Sequence, residues 1–177
     1  MRIGGFQKFS LIDYPKKVAA VIFTQGCDFR CPFCHNPDLV LPERFSPLIN
    51  EEEVLKFLLK RQDQLTGVVV TGGEPTIQGD LAEFLKKIKS LGYCLKLDTN
   101  GNNPKVLEGM FRQKLVDYVA MDVKTSFDRY EQAAGVSVRI ENIKRSIDLI
   151  IGSGVEYHFR TTLVHKWEED ERKGLQV

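Results

Sequence analysis

The stretch that decides the fold is residues 18–35, which read VAAVIFTQGCDFRCPFCH. It opens with a continuous apolar run rich in β-branched side chains, ended by Gly26, and this pattern is typical of a buried strand. Three cysteines, Cys27, Cys31 and Cys34, then follow within eight residues. The spacing therefore predicts three thiols on a loop that leaves the C-terminal end of a buried strand, where parallel α/β folds carry their chemistry.

Clustered thiolates are soft ligands that suit zinc, Cu(I) or iron–sulfur clusters. Iron–sulfur clusters are normally held by four cysteines, but the remaining cysteine, Cys94, lies sixty residues beyond Cys34 in a strand-like run. There we expect it to be a small buried hydrophobe. Three thiolates on a four-iron cluster would leave one iron open, which is typical of a catalytic site. Spacing alone leaves two alternatives open: a zinc site completed by His35, and a redox thiol pair of Cys31 and Cys34.

The cysteine pattern C-x3-C-x2-C, with Phe33 before the last cysteine, resembles the signature of the radical S-adenosylmethionine (radical SAM) enzymes. Three more motifs follow in order, each at the end of a predicted strand: GGEP at 72–75, DTNG at 98–101 and DVK at 122–124. The stretch GFQKFSLIDYP at 5–15 narrows the resemblance to glycyl-radical-enzyme activases, and most closely to the anaerobic ribonucleoside-triphosphate reductase activating proteins. The resemblance covers roughly residues 5–164.

Strand-like runs alternate with amphipathic helical patterns, which predicts an α/β fold with a parallel sheet and right-handed crossovers. Predicted strands lie at 18–24, 67–71, 93–98, 116–121 and 155–164, predicted helices begin near 50, 80, 104, 126 and 140, and a short strand or hairpin covers 2–14. The strand count alone does not separate a flat doubly wound sheet from a barrel. The resemblance implies a partial, open (βα) barrel of the radical SAM type, with the active site at the C-terminal ends of its parallel strands.

Composition excludes several function classes. The net charge of +1 predicts no broad surface for nucleic acid or membrane. No apolar run has the length of a membrane span and the N-terminus lacks a signal-peptide pattern, so a cytoplasmic location is the expectation. Clustered cysteines also fit metal binding in a reducing compartment better than a disulfide framework. We expect one domain over 1–177, with an atypical charged tail at 165–177 that is naturally short or truncated.

The resemblance implies cofactors and binding residues. Cys27, Cys31 and Cys34 would ligate a [4Fe–4S] cluster, and SAM would chelate the fourth iron. The aromatic Phe33 belongs to this loop, and His35 could contact SAM or the substrate through its backbone. Other residues at strand ends would also contact SAM or a cation; they are Gly72, Gly73, Glu74, Asp98, Thr99, Asp122, Lys124 and Arg160.

Glu74 would accept hydrogen bonds from the amino group of SAM. In related activases, positions like Asp98, Thr99 and Asp122 hold a monovalent cation beside the SAM carboxylate. Without the resemblance, these residues also fit an ordinary βα turn and solvated strand-end charges.

Two basic residues complete the set of predicted SAM-binding side chains. Lys124 shares a face with Asp122, two residues before it, and could neutralise a carboxylate. The pair also fits an ordinary surface ion pair. Arg160 lies within a strand-like run, where an arginine needs a partner. The resemblance implies that Arg160 faces SAM.

The implied reaction is the reductive cleavage of SAM, with one electron from reduced flavodoxin or ferredoxin, to methionine and a 5′-deoxyadenosyl radical. The radical would abstract hydrogen from a glycine Cα of a partner, which the resemblance implies is an anaerobic ribonucleotide reductase. No side chain is predicted to act as a catalytic acid or base. Two alternatives are a radical SAM enzyme acting on a small molecule, as in deazapurine synthesis, and a non-catalytic metal or Fe–S electron-transfer module. A non-catalytic module would not explain why the GGEP and DVK motifs are present.

Overall fold

The computed structural model describes residues 1–164, which form one six-stranded sheet flanked by helices. In chain order the elements are β1 Ile3–Ser10, β2 Ala19–Thr24, α1 Glu51–Leu59, β3 Gly67–Gly72, α2 Leu81–Ser90, β4 Cys94–Thr99, α3 Pro104–Arg112, β5 Tyr118–Asp122, α4 Tyr130–Ala134, α5 Ile140–Gly152 and β6 Glu156–Arg160. The tail predicted at 165–177 lies outside the described residues.

The strands lie side by side in the order in which they occur in the chain. β1 runs antiparallel to β2, and β2 to β6 are parallel to one another. A doubly wound sheet reverses its strand order at a switch point, and this sheet does not. Within residues 1–164, β1 and β6 are unpaired edges that do not meet. The prediction of a partial, open (βα) barrel with parallel strands is therefore confirmed.

One face of the sheet carries the main hydrophobic core. Fully buried side chains from four helices pack in a single cluster with alternate residues of the strands β2 to β5. The helix members include Leu58, Phe84, Leu107 and Ile150. On β4, Leu95 and Leu97 belong to this cluster. Because side chains alternate along a strand, Lys96 and Asp98 face the opposite side. No helix in the described part of the chain is long and apolar enough to cross a membrane.

Strand boundaries agree with the sequence prediction except at the last strand. The N-terminal segment predicted as a strand or hairpin forms β1. The last strand was predicted to reach residue 164, but β6 ends at Arg160. This edge strand pairs only with β5, whose last residue, Asp122, lies opposite Arg160. Beyond that pair β6 has no neighbouring strand with which to continue the hydrogen-bond ladder.

The short helix α4 supports the loop that carries the cysteines. The N–H of Arg30 donates a hydrogen bond of 2.7 Å to the carbonyl of Ala134, the last residue of α4. Gly135 follows with a φ of +69°, and a Cβ atom there would lie 2.1 Å from the carbonyl oxygen of Arg30. Glycine meets both requirements because it tolerates a left-handed backbone and has no side chain.

Replacing Gly135 with alanine should therefore lower the free energy of unfolding by at least about 2 kcal/mol, through backbone strain and a steric clash with the loop. The matched control is Gly109→Ala in α3, where an added Cβ meets nothing within 4 Å. That change should raise stability by roughly 0.5–1 kcal/mol. Urea denaturation of both variants measures the difference, and similar effects at the two positions would contradict the supporting role of α4.

Candidate active site

One cavity opens at the carboxyl ends of the parallel strands, and every residue predicted for the site lines it. These residues are Cys27, Cys31, Phe33, Cys34, His35, Gly72, Gly73, Glu74, Asp98, Thr99, Asp122, Lys124 and Arg160. The sequence prediction missed other lining residues, namely Phe29, Asn36, Val40, Thr71, Asn100 and Thr162. Asn100 could have been found, since it belongs to the DTNG motif. The structure brings the predicted residues together, and their individual ligand contacts stay predictions.

The three cysteines of the loop are free, partly buried thiols. The N–H of Phe29 donates to the Sγ of Cys27 at 3.3 Å. Burial raises the pKa of Cys27 to about 12 and also raises the pKa of Cys31. Reactive redox thiols have lowered pKa values, and burial has the opposite effect on Cys27 and Cys31.

The donor set fits an iron–sulfur cluster better than a single metal ion. Among residues 1–164, no three side chains of Cys, His, Asp or Glu converge closely enough to hold one ion. A zinc site completed by His35 would require four such ligands around one point. In an iron–sulfur cluster the soft thiolates bind different irons, so they need only border a common space. Three thiols that line one cavity meet that requirement.

Glu74 links the ends of three strands through its backbone and its buried carboxylate. Its backbone N–H donates to the carbonyl of Gly26, after β2, at 2.8 Å. Its Oε1 accepts from the Thr99 hydroxyl at 2.8 Å, and its Oε2 accepts from the N–H of Asn100 at 2.7 Å, both at the end of β4. Thr76 donates from its N–H, at 3.0 Å, and from its hydroxyl. Burial raises the pKa of Glu74 to about 7, against the opposing effect of these hydrogen bonds.

The carboxylate of Glu74 thus already has four protein donors, and its contact with the amino group of SAM stays a prediction. The glycines before it allow the end of β3 to approach the cysteine loop. Gly72 has a φ of +112°, and a Cβ atom on Gly73 would lie 2.0 Å from the carbonyl oxygen of Gly26. The N–H of Gly73 donates to the carbonyl of Thr24 at 2.9 Å. The glycines thus allow a close backbone approach to the chain just before Cys27.

Charged side chains on the last three strands form one network in the same cavity. Arg160 bridges two carboxylates, with its Nη1 3.0 Å from Asp98 and its Nε 2.7 Å from Asp122. The ammonium of Lys124 lies 2.8 Å from Asp122. Burial disfavours the charged form of Asp122, but Lys124 and Arg160 hold the pKa of Asp122 below its usual value. Asp122 and Lys124 are thus part of the cavity wall, and the surface ion-pair interpretation is wrong.

Lys96 also pairs with this network, although it is not among the residues that line the cavity and the sequence analysis did not select it. Its side chain is 3% exposed and its ammonium pairs with Asp98. The sequence does indicate this contact, because Lys96 and Asp98 are two residues apart on a strand and therefore share a face.

A second set of side chains, which the sequence analysis did not select, links the cysteine loop to the loop after β4 by hydrogen bonds. The Oδ1 of Asp28 accepts from the side-chain amide of Asn100 at 2.7 Å. Its Oδ2 accepts from Asn102 at 2.9 Å and from Asn103 at 3.3 Å. The residue next to Cys27 is thereby attached to the neighbouring strand end, which restrains the first cysteine of the motif.

Comparison with known proteins shows which family the chain resembles. The Radical SAM superfamily matches residues 21–175. A Methanocaldococcus jannaschii protein with the provisional name glycyl-radical enzyme activating enzyme is 38% identical over 175 residues, which are 96% of this chain and 71% of that protein. The pyruvate formate-lyase-activating enzyme of Clostridium pasteurianum is 31% identical over 170 residues, covering 92% of this chain and 68% of that enzyme.

Among solved structures, Streptococcus suis SuiB bound to precursor peptide SuiA has a TM-score of 0.63 at 19% identity, over 86% of this chain and 35% of that one, which shows a likeness of fold alone. For two further relatives, the match with this chain covers 53% and 45% of the length of the relative.

The raised pKa of Glu74 predicts a pH-dependent stability. Glu74 holds its proton to about pH 7 when folded, against a value of 4.5 for the free side chain. Between these values the folded state binds more protons, so the free energy of unfolding falls as the pH rises, by up to about 1.4 kcal/mol per pH unit. The contribution is fully present below about pH 4.5 and lost above about pH 7.

Urea unfolding of the native chain and of Glu74→Gln, from pH 4.5 to 8, measures this contribution as the difference between the two curves. The slope should be missing from the variant. Glu83→Gln, at an exposed position of α2, is the matched control and should keep the slope. Parallel curves for the native chain and Glu74→Gln would show that Glu74 does not bind the proton.

Proposed function

The chain belongs to the radical SAM superfamily, and on that premise we propose that it is an activase that generates a glycyl radical on a partner enzyme, using a [4Fe–4S] cluster and SAM. The names of its relatives support an enzyme of this kind. The observation that carries the proposal is the composition of the cavity. Three thiols and a network of paired charges line the same space at the strand ends.

Three residues, Cys27, Cys31 and Cys34, would hold the cluster. Among the described residues that line the cavity there is no fourth cysteine. Cys94 begins β4, whereas the cavity lies at the other end of that strand. Five residues of extended chain separate the two ends, a distance of about 16 Å. One iron would therefore lack a protein thiolate and be available to SAM.

When bound, the cluster and SAM would supply the radical chemistry: one electron cleaves the sulfonium carbon–sulfur bond, giving methionine and a 5′-deoxyadenosyl radical that takes a hydrogen atom from a glycine Cα. The chain's own side chains bind and orient. Lys124 and Arg160 present positive charge to the cavity, which suits the carboxylate of SAM. Phe33 and His35 border the cysteine loop side of the cavity. None of these roles requires a side chain to act as a catalytic acid or base.

The partner proposed is an anaerobic ribonucleotide reductase. The support for this choice is the resemblance of residues 5–15 to the activating proteins of that enzyme class. A reduced flavodoxin or ferredoxin would supply the electron. A reducing, cytoplasmic compartment suits both the exposed iron site and the free thiols.

Replacing Cys31 with alanine should abolish the broad visible absorption of the reconstituted cluster. It should also reduce formation of 5′-deoxyadenosine from SAM to the level without protein, because the cluster loses one of three ligands. Cys94→Ala is the matched control and should keep both signals. Visible spectra and chromatography measure the outcomes, and full SAM cleavage by the Cys31 variant would rule out the ligand assignment.

The test of the whole proposal is anaerobic. The protein is reconstituted with iron and sulfide, and SAM, a strong reductant and a purified anaerobic ribonucleotide reductase are added. We expect 5′-deoxyadenosine by chromatography and a glycyl radical on the reductase by electron paramagnetic resonance, neither of which should form without SAM. A parallel reaction contains pyruvate formate-lyase.

A radical on pyruvate formate-lyase alone would replace the proposed partner while keeping the activase function. 5′-Deoxyadenosine without a radical on either protein would favour a small-molecule substrate. No 5′-deoxyadenosine despite an assembled cluster would overturn the enzyme proposal.

A further inference from the structure

The residues at which the resemblance implies a monovalent cation do not fit that ion in this chain. The hydroxyl of Thr99 donates to Glu74 at 2.8 Å, so its hydrogen bond is directed to the neighbouring strand end. Asp98 and Asp122, the other two expected ligands, each have two cationic side chains as partners. An added cation at either carboxylate would lie beside two cationic side chains, whose charges would repel it.

We propose that Lys96 and Arg160 take the place of a monovalent cation in this chain, so that SAM binding requires no added ion. Lys96 occupies one side of Asp98, and its ammonium is almost completely buried against the Oδ1 of that carboxylate. The Oδ2 of Asp98 accepts from Arg160 at 3.0 Å and from the Thr71 hydroxyl at 3.2 Å. Both oxygens of Asp98 are thereby bound by groups that belong to the protein.

Asp122 is occupied in the same way. Its Oδ1 accepts from the Nε of Arg160 at 2.7 Å, and its Oδ2 accepts from the ammonium of Lys124 at 2.8 Å. Arg160 thus links the two carboxylates through different nitrogens of one rigid guanidinium group. A tethered cation of this kind is held in place by the fold, so it does not depend on the concentration of ions in solution.

The charge count of the network agrees with this role. Three cationic side chains, Lys96, Lys124 and Arg160, face two carboxylates, Asp98 and Asp122, which leaves one net positive charge. One positive charge is what a single ligand carboxylate requires, and the amino-acid portion of SAM has one. The protein therefore supplies the charge balance that a bound cation would otherwise provide. This inference rests on the proposed use of SAM and not on the identity of the partner enzyme.

The first test measures SAM affinity by anaerobic titration calorimetry on the cluster-loaded protein. Three buffers of equal ionic strength contain potassium chloride, sodium chloride or choline chloride, because choline is too large to occupy an ion site. The native chain should bind SAM with dissociation constants that agree within about twofold in the three buffers. A tenfold weaker affinity in choline would overturn the proposal without any variant.

The second test removes the tethered charge. Lys96→Ala leaves space beside Asp98, and in this variant SAM should bind at least about fivefold more weakly in choline than in potassium or sodium. Rescue by the added ion distinguishes lost charge from lost packing, which no ion would restore. Lys89→Ala is the matched control, since Lys89 pairs with Asp117 at 2.8 Å outside the cavity. Equal affinity of Lys96→Ala in all three buffers would overturn the role of Lys96.

Sodium-23 relaxation of the cluster-loaded proteins gives a readout that needs neither SAM nor turnover. The native chain and Lys89→Ala should give the same line width, and Lys96→Ala should broaden the sodium signal through a newly available site. Specific broadening by the native chain, abolished by excess potassium, would contradict the proposal. If Lys96→Ala does not fold, Lys96→Met keeps most of the packing, removes only the ammonium beside Asp98, and should show the same weaker binding in choline. Failure of SAM to bind at all would remove the proposed function, and the sodium signal would still decide whether an ion site exists.

Discussion

The hydrogen bonds of the buried Glu74 side chain hold the carboxyl ends of the sheet together. A carboxyl group that is 1% exposed is costly to bury, and above all to ionise, unless donors replace the water it has lost. Here Thr76, Thr99 and Asn100 provide four donors, and the backbone of Glu74 itself binds the carbonyl of Gly26. The carboxylate therefore connects the end of β4 to the turn after β3, and the backbone N–H of Glu74 connects that turn to the chain leading into Cys27. The position of the cysteine loop follows from this connection.

The charged network on β4, β5 and β6 also contains carboxylates that are partly shielded from water, but their partners are of a different kind. Asp98 and Asp122 are surrounded by cationic side chains, whereas Glu74 is surrounded by neutral donors. Burying charges is costly, and pairing with good geometry offsets the cost. Because Arg160 contacts both carboxylates, the edge strand β6 is attached to the centre of the sheet by charge as well as by backbone pairing. The cavity thus has soft thiols on the cysteine loop and paired charges on the last three strands.

Family membership and partner choice depend on different parts of the molecule. The family is shown by a match over residues 21–175 and is expressed in the cavity, where the cofactors would bind. The partner is proposed from the resemblance of residues 5–15, which do not line the cavity, and the chain spans 71% and 68% of the two relatives named as activating enzymes.

The sequence alone was enough to predict the strands, the helices and the place of the cysteine loop at a strand end. Apolar runs marked the strands, and the motifs after them predicted residues that meet, because the carboxyl ends of parallel strands share one edge. Local patterns were sufficient for the strands and for the cysteine loop, whereas the other site residues came from the family resemblance; all of them line the cavity.

The tertiary structure alone decided the unreversed strand order, the four donors of Glu74 and the contacts of Lys96 and Arg160 with Asp98. Arg160 and Asp98 are 62 positions apart, and their contact depends on the pairing and register of strands that are distant in the chain. Those features arise from packing of the whole sheet, so no local pattern contains them.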